Sequence, residues 1–240
     1  MFEPSSLVIV ADRPLPAAGS LSPALKARTT IVACETGAAP DLPEALQGLA
    51  AGERPDLALV RVSPAVLPET LRRLSPLAPR SVILLPHELP DPYPRGTLAL
   101  CRAWAEENRC ELLGPRSFGA QRPHAGLNLS QHPVLARAGR VALLAQSRSI
   151  MAAVMDWAED VHIGFSTAVS LGDEAVVGLS RVLDYLASDP RTDSIVLYLE
   201  DVGPAREFMS TLRAAASVKP VIVLKAGPVS YTHLTLPTKA

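Results

Sequence analysis

Short apolar runs rich in β-branched residues recur along the whole sequence, and they constrain the fold more than any other feature. The runs lie at residues 7–10, 30–34, 57–62, 81–85, 111–113, 141–145, 165–171, 194–198 and 220–225. Several are apolar on both faces, as in the Val-Ile-Leu-Leu sequence of residues 82–85. This pattern is typical of strands in a parallel sheet that is covered by helices on each side.

Helical periodicity fills several of the gaps between these runs, most clearly in the second half of the chain. The predicted helices span residues 151–158, 175–187 and 205–216. In each of them, apolar residues recur at intervals of three and four and so fall on one helical face. Strand, helix and strand at this spacing predict βαβ units, and hence an α/β, doubly wound architecture.

A shift in composition between residues 119 and 139 divides the chain. This stretch carries Gln, His, Asn, Pro and Gly with weak periodicity, which is typical of a linker or a long surface connection. We therefore predict an α/β domain over residues 1–125, a linker over 126–139 and a second α/β domain over 140–227. Residues 229–238 are similar to the translation of a sequencing adaptor, so we interpret residues 228–240 as a non-native tail. We expect the natural protein to continue past residue 227, which makes this chain a fragment.

Charge and cysteine content exclude several classes of protein. The 23 basic and 24 acidic residues nearly cancel, which leaves no basic field for nucleic acid. No apolar run approaches the roughly 18 residues that span a bilayer, so we predict no membrane partner and a soluble, cytoplasmic protein. Cys34, Cys101 and Cys110 lack the spacing of a metal site or a disulfide framework and are interpreted as buried thiols. We assign no metal site and no catalytic residue.

A series of short segments in the second half of the chain carries a resemblance to a known family. The segments lie at residues 112–115, 126–128, 139–143, 146–147, 156–158, 164–166, 170–173, 183–186, 189–190, 197–200, 205–208 and 219–227. Through them, residues 111–227 resemble the NDP-forming acyl-CoA synthetases. They most closely resemble the synthetase-like region of bacterial protein lysine acetyltransferases that carry a fused GNAT domain. The first half agrees more thinly, at residues 2–6, 12–14 and 55–60.

The resemblance implies two Rossmann-like and flavodoxin-like parallel-sheet domains. The first is a Rossmann-like CoA-binding domain, and the second is a flavodoxin-like domain of the succinyl-CoA synthetase type, which would be truncated here. The ligand implied is CoA or acetyl-CoA, with ATP bound only in domains that this chain lacks. The partners implied are C-terminal ATP-grasp domains and, in the acetyltransferases, a GNAT domain that acts on protein lysines.

The residues after the first predicted strand depart from the family's pattern. The family has a Gly-Ala-Ser turn that cradles the CoA diphosphate, whereas residues 11–14 read Ala-Asp-Arg-Pro. Asp12 puts a negative charge where the phosphate would lie, while Arg13 either meets a phosphate or lies in a solvated loop. The family's Val-Asn-Pro-Lys segment is replaced by Val-Ala-Cys-Glu at residues 32–35. We therefore expect CoA binding by this domain to be weak or lost.

Three residues of the turn after the fifth predicted strand are implied to bind the cofactor. They are Gly114, Pro115 and Arg116, and the last of these replaces the usual asparagine. With Arg13, they complete the cofactor-binding residues that we predict in the first domain.

Two further candidates lie in the second domain. The resemblance implies that Ser147 starts a helix that faces the phosphorylated histidine of the synthetases, and we expect Ser147 or Ser149 to cap that helix. Arg148 replaces a family glycine and is able either to block the site or to bind an anion. Glu200 matches the glutamate that accepts a hydrogen bond from the phosphohistidine, although a structural role in capping or salt bridging stays open.

Two functional hypotheses follow. In the first, the chain is an N-terminal fragment of an acyl-CoA synthetase-like protein. The preferred form of this hypothesis is the CoA-binding or regulatory region of a GNAT-fused acetyltransferase, and the alternative form is part of an ADP-forming acetate–CoA ligase. The second is a non-catalytic module that senses acyl-CoA. The synthetase histidine would lie beyond residue 227, and His124 and His132 are interpreted as surface groups, so we predict no turnover by this chain alone.

Overall fold

The structure is a computed structural model that describes residues 3–13, 15, 21–35, 37–40, 54–87 and 94–226. The predicted tail at 228–240 lies outside these residues. Among the helices that are described, none has the length and apolar composition needed to cross a membrane.

The first sheet has five parallel strands. In chain order its elements are β1 (Leu7–Ala11), α1 (Pro23–Lys26), β2 (Thr29–Ala33), β3 (Leu57–Arg61), α2 (Leu67–Leu74), β4 (Ser81–Leu84), α3 (Thr97–Glu107) and β5 (Glu111–Leu113). The strands are ordered β2-β1-β3-β4-β5. The order reverses between β1 and β3, and such a reversal is where open α/β sheets bind ligands.

The second sheet has six strands, of which four are parallel. Its elements are β6 (Gly119–Arg122), β7 (Leu127–Ser130), β8 (Ala138–Ala145), α4 (Arg148–Asp160), β9 (Phe165–Ser170), α5 (Leu179–Ser188), β10 (Ser194–Leu199), α6 (Ala205–Val218) and β11 (Val221–Lys225). The order is β11-β10-β8-β9-β6-β7, and β6 runs antiparallel to both of its neighbours. The predicted fold class, α/β with two Rossmann-like parallel sheets, is confirmed.

Strand β1 shows why these runs form buried strands. All five of its residues are buried. Leu7 and Ile9 pack into one hydrophobic cluster, whereas Val8 and Val10 pack into another on the opposite face. Successive side chains of a strand point to opposite faces, so an uninterrupted apolar run is what a sheet covered on both sides requires.

The predicted linker contains a buried strand of the second sheet, β7. Its polar side chains are buried because they satisfy one another's hydrogen bonds. Gln121 Nε2 donates to Asn128 Oδ1 at 3.1 Å, and Asn128 Nδ2 donates to the His132 carbonyl at 3.0 Å. His132 was predicted at the surface, which is wrong: it is buried, and its Nε2 lies 3.0 Å from Asp156 Oδ1. Polar residues that pair internally leave no hydrophobic periodicity in the sequence.

Helix α5 begins at Leu179, later than the predicted start at residue 175. The residues before it pair instead with the edge of the first sheet. The Ala175 N–H donates to the Gly114 carbonyl at 3.0 Å, and the Val177 N–H donates to the Leu112 carbonyl at 2.9 Å. The tertiary pairing overrides the helical pattern of these residues.

Two of the three cysteines are buried, as predicted, and Cys34 is half-buried. Burial raises the pKa of the Cys101 thiol to about 11 and that of Cys110 to about 12. Both thiols are therefore protonated and unreactive near neutral pH.

Candidate active site

A cavity of about 640 Å³ opens at the carboxyl edge of the second sheet, where β8, β9 and β10 end. Its charged lining consists of three arginines and four carboxylates: Arg102, Arg116, Arg148, Asp173, Glu174, Glu200 and Asp201. The loop before α6 and the N-terminus of α4 also border it. The carboxyl edge is where open α/β sheets place their ligands.

Several of the charged groups hold the cavity walls together. The guanidinium of Arg116 forms a fork with Asp173, with Nε 2.8 Å from Oδ2 and Nη2 2.5 Å from Oδ1. Arg102 Nε donates to the Ala175 carbonyl at 2.8 Å. Glu174 Oε2 accepts from the Leu179 N–H at 2.8 Å and so caps α5. These groups join the first sheet to the loop after β9.

Other lining groups have no partner within the described part of the chain. The Glu200 carboxylate forms no hydrogen bond or ion pair there, and Arg148 Nη1 is buried without a hydrogen-bond acceptor. Ser147 is the N-cap residue of α4, but its hydroxyl makes no capping hydrogen bond. Of the two residues predicted to cap the helix, Ser147 and Ser149, Ser147 occupies the N-cap position but does not cap the helix with its hydroxyl. The cavity offers a cation, a carboxylate and a helix N-terminus without a side-chain cap.

The predicted ligand residues fall into two groups. Arg116, Ser147 and Glu200 line the cavity together, although they are far apart in sequence. Gly114 and Pro115 do not line it, but their carbonyls accept hydrogen bonds from the segment after β9. Arg13 lies elsewhere, exposed at the carboxyl end of β1 in the first sheet. Their roles as ligands stay predictions.

Sequence reasoning missed Gln146 and Glu174. Gln146 Nε2 donates to Glu174 Oε1 at 2.6 Å, although the two residues are 28 positions apart. Gln146 Oε1 also accepts from the Glu200 N–H, 54 positions away. The only signal in the sequence was the position of Gln146 directly before Ser147 at a strand–helix junction.

Among the residues that the structure describes, a carboxylate and an imidazole lie against each other at the carboxyl edge of the first sheet. Asp12 follows β1, its side chain is wholly buried, and its Oδ2 lies 2.5 Å from His87 Nε2. Arg61, at the end of β3, donates from Nη2 to the His87 carbonyl at 3.1 Å. The pKa of the Cys34 thiol is raised mainly by burial and also by the negative charge of Asp12. The Asp12 carboxylate therefore also affects the residue that follows β2.

Over the residues described, no three His, Cys, Asp or Glu side chains are placed to hold a metal ion.

Comparison with known proteins gives this geometry a context. Residues 138–233 match the family model of the succinyl-CoA ligase like flavodoxin domain. The chain is 39% identical over 123 residues to acetate–CoA ligase (ADP-forming) I of Archaeoglobus fulgidus, covering 51% of this chain and 18% of that protein. It is 27% identical over 172 residues to an acetate–CoA ligase (ADP-forming) of Methanocaldococcus jannaschii, covering 72% of this chain and 24% of the relative.

These matches support the resemblance of the chain to the NDP-forming acyl-CoA synthetase family. The fold is also that of the acetyl-coenzyme A synthetase 1 of Ca. Korarchaeum cryptofilum in complex with phosphate and ADP, with a TM-score of 0.78 at 22% identity. That alignment covers 94% of this chain and 51% of the synthetase. By contrast, the chain spans a quarter or less of the length of the two curated relatives above. The matches to these synthetases favour the ligase hypothesis, and they give no support to the acetyltransferase that the sequence resemblance favoured.

Proposed function

We propose that the chain is the ligand-handling part of an ADP-forming acyl-CoA ligase, and that its cavity binds a phosphoryl group. The observation that carries this proposal is the convergence of Arg148, the N-terminus of α4 and the unpaired Glu200 on one cavity. Arginine and helix amides both favour phosphate oxygens. Two relatives that the chain matches are named as acetate–CoA ligases that form ADP.

Each group has a distinct role in this proposal. Arg148 and the first amides of α4 hold the anion, because charge-assisted hydrogen bonds to an oxyanion are the strongest available there. Glu200 accepts a hydrogen bond from the group that carries the phosphoryl, such as an imidazole N–H, and so fixes its orientation. The nucleotide and the acyl chain would be handled by parts of the longer protein that this chain does not span.

The first sheet does not fit the diphosphate of CoA. The Asp12 carboxylate is buried at the switch point, beside His87, and it would repel a phosphate there. The helix that follows β1, α1, has only four residues. We therefore propose that CoA contacts the first sheet weakly or not at all.

The second candidate function is a non-catalytic module that senses acyl-CoA. The buried Asp12 carboxylate argues against it, because a coenzyme diphosphate at the switch point would meet a negative charge. The two candidates differ in CoA binding: a sensor binds CoA or acetyl-CoA by itself, whereas the ligase part binds a simple phosphate compound and needs the other domains for CoA.

Titration calorimetry of the full chain with inorganic pyrophosphate tests the proposal. We expect Arg148→Ala to weaken binding about tenfold, since a hydrogen bond to a charged group contributes at about that level. Arg13→Ala is the matched control, because it removes an arginine at the edge of the other sheet, and we expect less than a twofold change. The absence of heat at millimolar pyrophosphate, or an equal loss in both variants, would overturn the proposal.

A further inference from the structure

The side-chain amide of Gln146 forms four hydrogen bonds at the floor of the cavity. Its Oε1 accepts from the N–H of Glu200 at 2.6 Å and from the N–H of Asp201 at 2.9 Å. Its Nε2 donates to Glu174 Oε1 at 2.6 Å and to the Asp201 carbonyl at 2.8 Å. A primary amide has two donor hydrogens and two acceptor lone pairs, so the hydrogen-bonding capacity of Gln146 is fully used.

These bonds join the three loops that surround the cavity. Gln146 follows β8, Glu174 lies after β9, and Glu200 and Asp201 lie after β10. The second oxygen of Glu174 caps α5, so the same carboxylate connects Gln146 to the start of a helix. Glu174 has a φ of 52°, a backbone conformation that non-glycine residues adopt only where their surroundings hold them.

We propose that Gln146 is a positioning residue, which fixes the backbone that carries Glu200 and so sets where the Glu200 carboxylate lies in the cavity. The positioning role itself is argued from the hydrogen bonds of Gln146. Only the task of the positioned Glu200 carboxylate, which is to orient the group that carries the phosphoryl, rests on the proposed function. The side-chain chemistry at position 146 is specific. A glutamate would lose both donors and add a negative charge beside Glu174, while an asparagine is one methylene too short to reach the same atoms.

The test compares Gln146→Met with Gln131→Met. Methionine keeps the length of glutamine and removes all of its hydrogen bonds. Gln131 is the matched control, because its Nε2 donates to the Pro86 carbonyl at 2.8 Å, away from the cavity. The first measurement is the solvent exchange of the Glu200 and Asp201 amide protons by NMR. We expect both to exchange at least about fivefold faster in Gln146→Met, the factor expected for a lost hydrogen bond, and to be unchanged in Gln131→Met.

The second measurement is the affinity of the same variants for inorganic pyrophosphate. We expect a loss of about tenfold for Gln146→Met and less than twofold for Gln131→Met. A residue that served only general stability would change amide exchange throughout the sheet. The expected change is instead confined to the loop after β10, with the amides of β8 unaffected.

The possible outcomes separate this inference from the proposed function. Unchanged exchange of the Glu200 and Asp201 amides in Gln146→Met overturns the positioning role. Faster exchange, in a protein that binds no pyrophosphate in its wild-type form, supports the positioning role and overturns the phosphoryl site. If Gln146→Met does not fold, the wild-type chain still decides. NMR scalar couplings across the hydrogen bonds from the Glu200 and Asp201 amides to the Gln146 side-chain carbonyl are expected, and their absence overturns the inference.

Discussion

The two sheets of this chain differ in how an acidic side chain is placed at the carboxyl edge of each. The first sheet is parallel and the second contains four adjacent parallel strands, and both carry charged residues directly after strands. At the first edge, the carboxylate of Asp12 is buried against His87. At the second, the carboxylate of Glu200 lines an open cavity and has no partner among the described residues. One acidic residue is buried against an imidazole, and the other faces a cavity.

The difference shows that architecture supplies a place for a ligand and that individual side chains decide whether it is used. A reversal of strand order is where the first sheet would bind a ligand, and among the described residues the Asp12 carboxylate is buried there. In the second sheet, several charged groups form bonds within the cavity walls, because Arg116 pairs with Asp173 and Glu174 caps a helix.

Removal of the buried carboxylate at the first edge is expected to have the largest effect. Asp12→Ala removes a wholly buried carboxylate and its close contact with His87 Nε2, so we expect a loss of about 3 to 5 kcal/mol in the free energy of unfolding. Urea denaturation measures it. Glu69→Gln breaks an exposed pair with Arg72 on α2 and serves as the control, with a much smaller loss. Equal losses in the two variants would mean that the first edge is not closed by its ion pair.

The wall of the second cavity offers the next test. Gly172 has a φ of +66°, and an added Cβ would lie 2.2 Å from the Pro115 carbonyl oxygen. Gly203 has a similar φ of +57°, but its Cβ would meet no atom within 4 Å. We expect Gly172→Ala to cost about 2 to 4 kcal/mol of stability and Gly203→Ala about 1 kcal/mol. Urea denaturation measures both losses. The difference between them gives the cost of the close contact between Gly172 and the Pro115 carbonyl, and similar losses in the two variants would contradict that contact.

A buried ion pair away from both edges provides a reference for pH dependence. Burial raises the pKa of Asp189, but hydrogen bonds from Thr192, the Arg191 N–H and Arg122 lower it below its ordinary value of 3.8. Because the folded pKa lies below the unfolded one, this group stabilises the protein above about pH 4, and the stabilisation is lost as pH falls through the folded pKa.

Asp189→Asn is therefore expected to lower stability by about 2 kcal/mol at neutral pH, with a smaller difference from wild type near pH 3. Thermal denaturation over this pH range measures it, and pyrophosphate affinity should stay unchanged. A difference that grows as pH falls would show that the pKa of Asp189 is raised rather than lowered.

The strands that are apolar on both faces, such as β1 and β4, could be predicted from the sequence. A strand that is buried on both faces consists mostly of apolar residues, and such a run is visible in the sequence. The sequence was insufficient for β6 and β7, whose buried Gln121 and Asn128 pair with each other. In the cavity, Ser147 and Glu200 could be proposed because each follows a recognisable strand. The bonds of Gln146 could not, since they join residues that meet only after the sheet has formed.

Strands β6 and β7 have a practical consequence for work on isolated halves of this protein. They precede the parallel strands of the second sheet in sequence, yet β6 pairs with the edge of β9. Expression from Arg140 onward, as the composition would suggest, would strip that cover and present β9 to any neighbouring chain. A shortened version intended for biophysics should therefore begin ahead of Gly119.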